Sequence, residues 1–436
     1  MIEYRKLRVA VLGGGSVGSQ VAALLLQHGE ELAARAGAGL ELVGVAVRDP
    51  DAPRDTDIPK HLITTDAESL ILGADIVVEL IGGIEPARSY ILQALGSGAD
   101  VITANKAVLA NHGPELFEAA EQVGAQLYYE AAVGGAIPII RPLRDSLAGD
   151  RVKRILGIVN GTTNYILDRM DTRGDDLDEA LAEATRLGYA EADPTADIEG
   201  FDAAAKAAIL ASLAFHTTVS IDEVHREGIT TVTGDQVRAA RKAGYVVKLL
   251  AICERLTVDG VEGVSARVHP ALVPLDHPLA AVHGANNAVF VQAEAAGNLM
   301  FYGAGAGGVE TASAVLGDLV SAARRHVAGG PGVAESTHAN LPVLPISSAT
   351  TRYQVTLEVA DEPGVLATIA QFFSDNGVSV EAVSQSVGGQ DPERPTATLV
   401  IVTHEAIESS LASTVASLAA SPVVSSAVSV LRVEGL

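Results

Sequence analysis

At 436 residues and 48% hydrophobic content, the chain is long and apolar enough for two or three domains with cores of their own. Its 54 acidic and 30 basic residues leave a net charge of -24, which excludes nucleic acid and anionic membrane as general partners. A single cysteine, Cys253, excludes an internal disulfide, and no apolar run approaches the roughly 18 residues of a membrane-spanning helix. With no signal-peptide pattern ahead of the first strand, a cytoplasmic protein is expected.

Leu7 to Leu12 is a short apolar run of the kind found in buried parallel strands. It leads into Gly13-Gly14-Gly15-Ser16-Val17-Gly18 and a helical pattern, which is G-x-G-x-x-G in a strand–loop–helix context. Gly13 suits the tight turn, Gly15 the approach of a pyrophosphate, and Gly18 the packing of helix on strand. Ser16 and Val17 open the helix, whose free N–H groups can take phosphate. A second strand, 41–47, ends at Arg48 and Asp49. An arginine there pairs with the 2′-phosphate of NADP, and the aspartate leaves NAD open. Further strands are expected at 74–81, 100–103 and 126–133, with helices after Pro86 and over 107–124. The repeated units predict an α/β fold, with a Rossmann-type doubly wound sheet over residues 1–137; the 303–328 segment is expected to close that domain. Ligands sit at the carboxyl ends of such strands, where Gly82, Gly83, Asn105, Lys106 and Glu130 fall.

After Pro138 the pattern changes. Strands are expected at 152–159, 246–256, 261–268, 288–295 and 298–302, predicting an α+β domain over 138–328 with a mixed sheet. Asn160-Gly161-Thr162-Thr163-Asn164 is a turn whose Asn or Thr can cap the next helix. The stretch 188–206, GYAEADPTADIEGFDAAAK, gathers Glu191, Asp193, Asp197, Glu199 and Asp202 ahead of Lys206. Asp202 and Lys206 share one helix face, and the helix is otherwise almost wholly apolar. Two readings stand: a site for a small cationic or amino-acid substrate where Lys206 handles a proton, or an acidic loop that caps a helix through an ion pair. The glycine loop 303–308 opens a last helix over 309–326, and either closes over a cofactor or simply packs closely. The histidines are scattered, so no zinc site is expected, and Cys253 reads as a core residue of an apolar strand.

Residues 329–350 are rich in Gly and Pro and read as a linker. Beyond it, strands at 352–359, 378–385, 396–403 and 423–433 alternate with helices from 365 and over 407–419. That order, β-α-β-β-α-β, is ferredoxin-like.

TANK at 103–106, EAAVGGAIPII at 130–140, NGTTNYIL at 160–167 and the 188–206 stretch together resemble homoserine dehydrogenase, over about residues 7 to 328. DEPGVL at 361–366 and NGVSVE at 376–381 resemble an ACT domain, a small amino-acid-binding regulatory module, over 351–436. The resemblance implies reversible NAD(P)-dependent conversion of L-aspartate 4-semialdehyde to L-homoserine, a step shared by threonine, methionine and isoleucine biosynthesis. It implies that Lys206 transfers the proton, that Lys106 lies by nicotinamide and substrate, and that Glu191, with Asp197 and Asp202, binds substrate. It implies a cofactor contact at Gly307 and a monovalent cation, sodium, at Glu130, Val133, Gly135 and Ile137, the last three through main-chain carbonyls. A dimer or tetramer, and threonine as an effector of the ACT domain, are implied in the same way.

The chemistry agrees with these residue types. Reducing an aldehyde needs hydride on carbon and a proton on oxygen, and a lysine supplies the proton while its charge stabilises the alkoxide. Two other readings remain. A non-catalytic NADP- and amino-acid-sensing protein needs neither lysine. An enzyme like aspartate-semialdehyde dehydrogenase needs a thiolate nucleophile, for which Cys253 is the one candidate.

Overall fold

The computed structural model describes residues 6–330, 335–387, 396–425 and 429–435. Six parallel strands form a first sheet: β1 (Lys6–Leu12), β2 (Gly39–Ala46), β3 (Ile63–Thr64), β4 (Ile76–Glu79), β5 (Asp100–Thr103) and β6 (Leu127–Tyr128). Their order is β3-β2-β1-β4-β5-β6, so the winding reverses between β1 and β4 and leaves a crevice at their carboxyl ends. Apolar residues fill both faces, as a parallel sheet covered by helices requires. On one side Val9 and Val11 share a core with Val21 and Leu25 of helix Ser16–Gln27 and with Val315 and Leu319 of helix Gly308–Ala328. The late helix thus returns to close the first sheet. On the other side Ala10 and Leu12 meet Ile91 and Leu116, from helices Ala87–Gly96 and Lys106–Val123.

The middle region adds β7 (Val152–Ile158), β8 (His225–Arg226), β9 (Tyr245–Val258), β10 (Val261–Pro274), β11 (Asn286–Ala293) and β12 (Gly297–Ala304). Neighbours in the row β12-β11-β7-β9-β10 are antiparallel, and β8 pairs parallel with β10, giving a mixed sheet. Side chains of β9 alternate between two cores. Val247, Leu249 and Ala251 pack in the core that holds helix Phe201–Phe215, whereas Val246, Leu250 and Ile252 meet the turn at Leu279 and Val282. Helix Phe201–Phe215 is buried on nearly every side, and its alanines let its neighbours approach closely.

The C-terminal strands are β13 (Thr350–Ala360), β14 (Val380–Val387), β15 (Thr396–Thr403), β16 (Ala406–Ile407) and β17 (Ser429–Val433). The order β17-β13-β15-β14, with helices Val365–Asp375 and Glu408–Ala419 in the same core, is ferredoxin-like. β17 also pairs parallel with β10, Ala271 opposite Arg432 and Leu272 opposite Val433. The middle and C-terminal sheets are therefore one continuous sheet of eleven strands, which the strand pattern alone does not disclose.

Four local expectations change. The strand expected at 126–133 stops at Tyr128, because Glu130 opens a 3₁₀ turn that brings its carboxylate under the N–H groups of Ile139 and Ile140. β10 runs on to Pro274 through Pro270. The carbonyls of Val268 and Leu272 face outward, to the N–H groups of Glu227 and Glu434. Pro270, midway between them, turns its nitrogen to the same edge, in the gap between β8 and β17 where no donor is needed. The linker is not free: Val264 exchanges hydrogen bonds with Pro342 and Leu344, and Thr217 donates to the Leu341 carbonyl. Short helices at Gly29–Ala36, Ala67–Leu72 and Gly234–Lys242 add to the expected elements. Residues 331–334 of the linker and 426–428 of the expected last strand lie outside the described residues.

The joint between β10 and β17 buries charge. Arg154 and Arg267 both reach the carboxylate of Glu434, Arg267 at 3.6 Å, and Arg267 also pairs with Glu254 at 2.8 Å. Thr351 Oγ1 donates to the same glutamate at 3.4 Å. Removing one member of a buried pair costs about 3–5 kcal/mol because the other is left uncompensated. Glu434→Gln is therefore expected to lower the unfolding free energy by about 3 kcal/mol in a urea titration. An unchanged midpoint would mean that the two arginines are neutralised elsewhere.

Candidate active site

The glycine loop lies at the β1–β4 crevice. Gly13 adopts φ +103 and donates to the Ala46 carbonyl at 2.8 Å, and a Cβ there would lie 2.5 Å from the Leu80 carbonyl oxygen. A Cβ on Gly18 would overlap the Gly13 carbonyl. Gly15 differs, because its missing Cβ faces open space, and with Ser16 it is exposed at the start of helix Ser16–Gln27. Two glycines thus fix the turn, and the third leaves an unobstructed approach to free N–H groups, as a dinucleotide pyrophosphate requires. Val17 packs into the core beneath them.

Arg48 stands exposed just beyond β2, with no hydrogen bond or ion pair among the described residues. The Asp49 carboxylate is turned to the Asp51 N–H at 2.9 Å. Arg54, not singled out in the sequence, folds back on the loop. Its guanidinium donates to the carbonyls of Asp49, Pro50 and Ala52, while its buried Nε lacks a partner and would sit 3.3 Å from a Cβ on Gly14.

At the ends of β4 and β5 a second cluster positions Lys106. Glu79 is fully buried, and burial pushes its carboxyl pKa up despite a hydrogen bond from Thr103 Oγ1 at 2.6 Å. Its other oxygen accepts from the Ile81 N–H at 2.7 Å, ahead of Gly82 at φ +81. Thr103 Oγ1 also accepts from the Asn105 N–H, and the Asn105 amide reaches the Gly83 carbonyl at 2.7 Å. Asn105 Oδ1 caps helix Lys106–Val123 by accepting from the Val108 N–H. Lys106 is thereby fixed as the first helical residue, at the mouth of the crevice.

The third cluster is the acidic stretch. Lys206, only 8% exposed, donates to Asp202 Oδ2 at 2.8 Å and to the Val159 carbonyl at 2.6 Å. Lys106 reaches the other oxygen of the same carboxylate, Oδ1, at 2.6 Å. Burial alone would raise the Asp202 pKa, but the two ammonium groups hold it well below the usual carboxylate range. The converse holds for Lys106: burial disfavours its charge, yet Asp202, Asp197 and Glu191 together raise its pKa. Asn160 completes the arrangement. Its Oδ1 caps helix Gly161–Arg173 through the Thr163 N–H, and its Nδ2 donates to Asp197 at 2.7 Å and to Asp202 at 2.9 Å. Asp197 has its pKa raised by burial, which that amide partly offsets. Glu191 is exposed, at the open side of the cluster. The sequence suggested Asn160 as a cap but not as the support of two carboxylates.

The Glu130 turn stands behind this site. The glutamate is 1% exposed, and its two oxygens accept from the N–H groups of Ile139, Ile140 and Arg141 and from Arg141 Nε. Four donors occupy the carboxylate, so any cation here would be held by main-chain oxygens. Gly134 and Gly135, at φ +79 and +58, turn the backbone at Val133–Ile137. A Cβ on Gly135 would lie 2.5 Å from the Gly305 carbonyl oxygen, and the Ala136 N–H donates to Ala304. This turn therefore meets the 303–308 glycine loop, where Gly307 adopts φ +133 and Gly308 packs on Ser16. Among the described residues no His, Cys, Asp and Glu group is arranged to hold a metal, and no helix is long and apolar enough to cross a membrane. Cys253 is fully buried with its thiol against the Ala207 carbonyl, and burial pushes its pKa up to about 12. A thiolate mechanism has no nucleophile there.

Three family models match along the chain: the homoserine dehydrogenase NAD-binding domain over 13–130, homoserine dehydrogenase over 138–320, and the ACT domain over 353–422. The chain is 54% identical to the homoserine dehydrogenase of Corynebacterium glutamicum, over 98% of its own length and 95% of the relative's. It is 56% identical to that of Mycobacterium tuberculosis, over 99% of each. The crystal structure of a homoserine dehydrogenase from Thiobacillus denitrificans superposes with a TM-score of 0.90 at 38% identity, covering 100% of this chain and 99% of that one. A hyperthermophilic archaeal homoserine dehydrogenase in complex with NADPH matches 75% of this chain and 99% of its own, at TM-score 0.61 and 28% identity. With its nucleotide crevice, its paired lysines and relatives matched nearly end to end, this chain belongs to the homoserine dehydrogenase family and carries a C-terminal ACT domain.

Proposed function

We propose that the chain interconverts L-aspartate 4-semialdehyde and L-homoserine with NADP, and that Asp202, Lys106 and Lys206 form the reacting centre. The observation that carries this reading is the meeting of two amines from distant segments on one buried carboxylate. A bound nicotinamide cofactor supplies or accepts the hydride. Of the three N–H donors of Lys206, two are engaged by Asp202 and Val159, which leaves one for the substrate oxygen. In reduction Lys206 gives its proton to that oxygen, and in oxidation it takes the proton back. Lys106 adds positive charge beside the developing alkoxide. Asp202 aims both amines, and the Asn160 amide keeps Asp202 and Asp197 from drifting apart. Glu191, exposed and unshared, suits the substrate ammonium.

NADP is favoured over NAD by Arg48, a free guanidinium at the end of β2, while the Asp49 carboxylate is turned to its own loop. The glycine loop residues Gly13, Gly15, Ser16, Val17 and Gly18 would hold the pyrophosphate, with Gly82 and Gly307 lining the remainder of the crevice. A sodium ion, if part of the resting enzyme, would be held by the main-chain carbonyls of Glu130, Val133, Gly135 and Ile137. Assembly as a dimer or tetramer is supported by the two outer strands of the long sheet, β12 and β14, where Tyr302 and Val383 are exposed. The ACT domain is proposed to bind threonine and to lower activity as product accumulates.

Mixing the protein with L-homoserine and NADP, then with NAD, and following absorbance at 340 nm tests the activity and the cofactor preference together. In that assay Lys206→Ala is expected to lose at least about 100-fold in kcat while NADPH still binds. Near-normal turnover would remove Lys206 from the mechanism. Millimolar L-threonine is expected to inhibit the full chain without competing with homoserine, and competition with homoserine would place it at the reacting centre instead. The full chain is required here, since a chain ended near residue 345 would also strip β17 from β10.

A further inference from the structure

The acidic stretch has a back as well as a front. Its front faces the lysines, and its back is held by residues 225–229. Arg226 donates to the Glu199 carbonyl and lays its guanidinium over the Phe201 ring, 3.5 Å from the centroid. The Ile229 N–H donates to the Ile198 carbonyl at 2.7 Å. Gly228 lies so close that a Cβ would overlap the Ile198 carbonyl and come within 2.6 Å of Glu199 Cα. Gly200, at φ +80, packs on Arg226 and Val268 and turns the chain into helix Phe201–Phe215. The main chain between Asp197 and Asp202 therefore follows segment 225–229.

That segment is tied to the ACT domain. β8 and β17 lie one after the other along the same edge of β10, at Arg267–Val268 and Ala271–Leu272. Across the gap between them Arg432 Nη1 donates to Glu227 Oε2 at 2.8 Å. The other Glu227 oxygen is held by His225 Nε2, also at 2.8 Å. Arg432 is fixed in turn by Glu408, at 2.7 and 3.0 Å, and Glu408 accepts from the Tyr353 hydroxyl at 2.7 Å.

We infer that Glu227 and Arg432 are positioning residues for the Asp197 and Asp202 carboxylates, through which the ACT domain sets the geometry of a site that none of its described residues touches. The chain of contacts is short: Arg432 to Glu227, then the main chain through Arg226 to Ile229, then Ile198 to Gly200, then Asp197 and Asp202. A shift of β17 along β10 has a direct mechanical route to the groups that hold substrate and a longer one to the glycine loop. Loss of the link should therefore loosen substrate binding while leaving the nucleotide side alone. The inference rests on the proposed site.

The test uses the full chain. Glu227→Gln keeps the shape and leaves the Arg432–Glu408 pair intact, and Arg432→Met removes the same link from the other side together with the Arg432–Glu408 pair. Either variant is expected to raise the KM for homoserine about fivefold, with the KM for NADP and the dissociation constant of NADPH within about twofold of the parent. The double variant should be no worse than either single one, as coupled residues require, and Arg432→Lys should recover part of the loss. A homoserine KM unchanged in Glu227→Gln overturns the inference. So does, in Glu227→Gln, a parallel rise in both KM values with a lower melting temperature, the mark of general destabilisation. Lys206→Ala is assayed alongside. Full turnover in that variant would remove the site itself, whereas its loss beside an unaltered Glu227→Gln would remove the relay alone.

Discussion

The carboxylate of Asp202 is the constraint to which the rest of the site answers. Taking such a group out of water costs several kcal/mol, even after relaxation. One ammonium near 4 Å returns about 4 kcal/mol at an effective dielectric near 20, roughly break-even. A second ammonium and the Asn160 amide change the balance, which is why the group stays ionised at 8% exposure. The arrangement is possible only if two helices begin side by side. Helix Lys106–Val123 is carried by the parallel sheet and helix Phe201–Phe215 by the mixed sheet. Small residues on the second helix allow them to pack in one continuous core.

The two amines are not interchangeable in their surroundings. Lys206 is enclosed and has its donors assigned, to a carboxylate and to a main-chain carbonyl at the end of β7. Lys106 keeps 44% of its side chain exposed and looks into the open crevice. A proton-transferring group needs a fixed direction, and a group that follows cofactor and substrate needs room. The burial of each lysine matches the role given to it in the proposed mechanism.

Much of this could be read from the chain, and the part that could not has a common cause. The glycine loop, the parallel strands, the Asp202–Lys206 pair and the ferredoxin-like tail are local patterns, fixed by periodicities of two or about 3.6 or by a few adjacent residues. The contact of Lys106 with Asp202 is long-range, and family likeness implied only that both lie near the substrate. Asn160 looked like a cap because capping is local, while its two carboxylate partners arrive from residues 197 and 202. Glu79 is a charge inside an apolar strand, a local signal of a buried hydrogen-bonded carboxyl. The strand reading of 126–133 failed because an apolar run cannot reveal that a glutamate within it must turn back to collect three main-chain N–H groups and an arginine. The β10 ending failed for the opposite reason. The strand expected to end at 268 continues through Pro270, because the gap between two edge strands needs no donor at that point.

That gap also explains why regulation can be added to this fold at little structural expense. A sheet edge is a row of unpaired groups that must be covered. β8 covers two residues of β10 and β17 covers two more. Covering the edge with a strand from another module satisfies those groups and, in the same step, sets that module's side chains beside segment 225–229. Glu227, at the end of β8, then finds Arg432 as its neighbour along the edge rather than solvent. Attachment and communication are thus one feature of the β10 edge. A module attached only through a free linker would have neither the register nor the charge pairing to move Asp202.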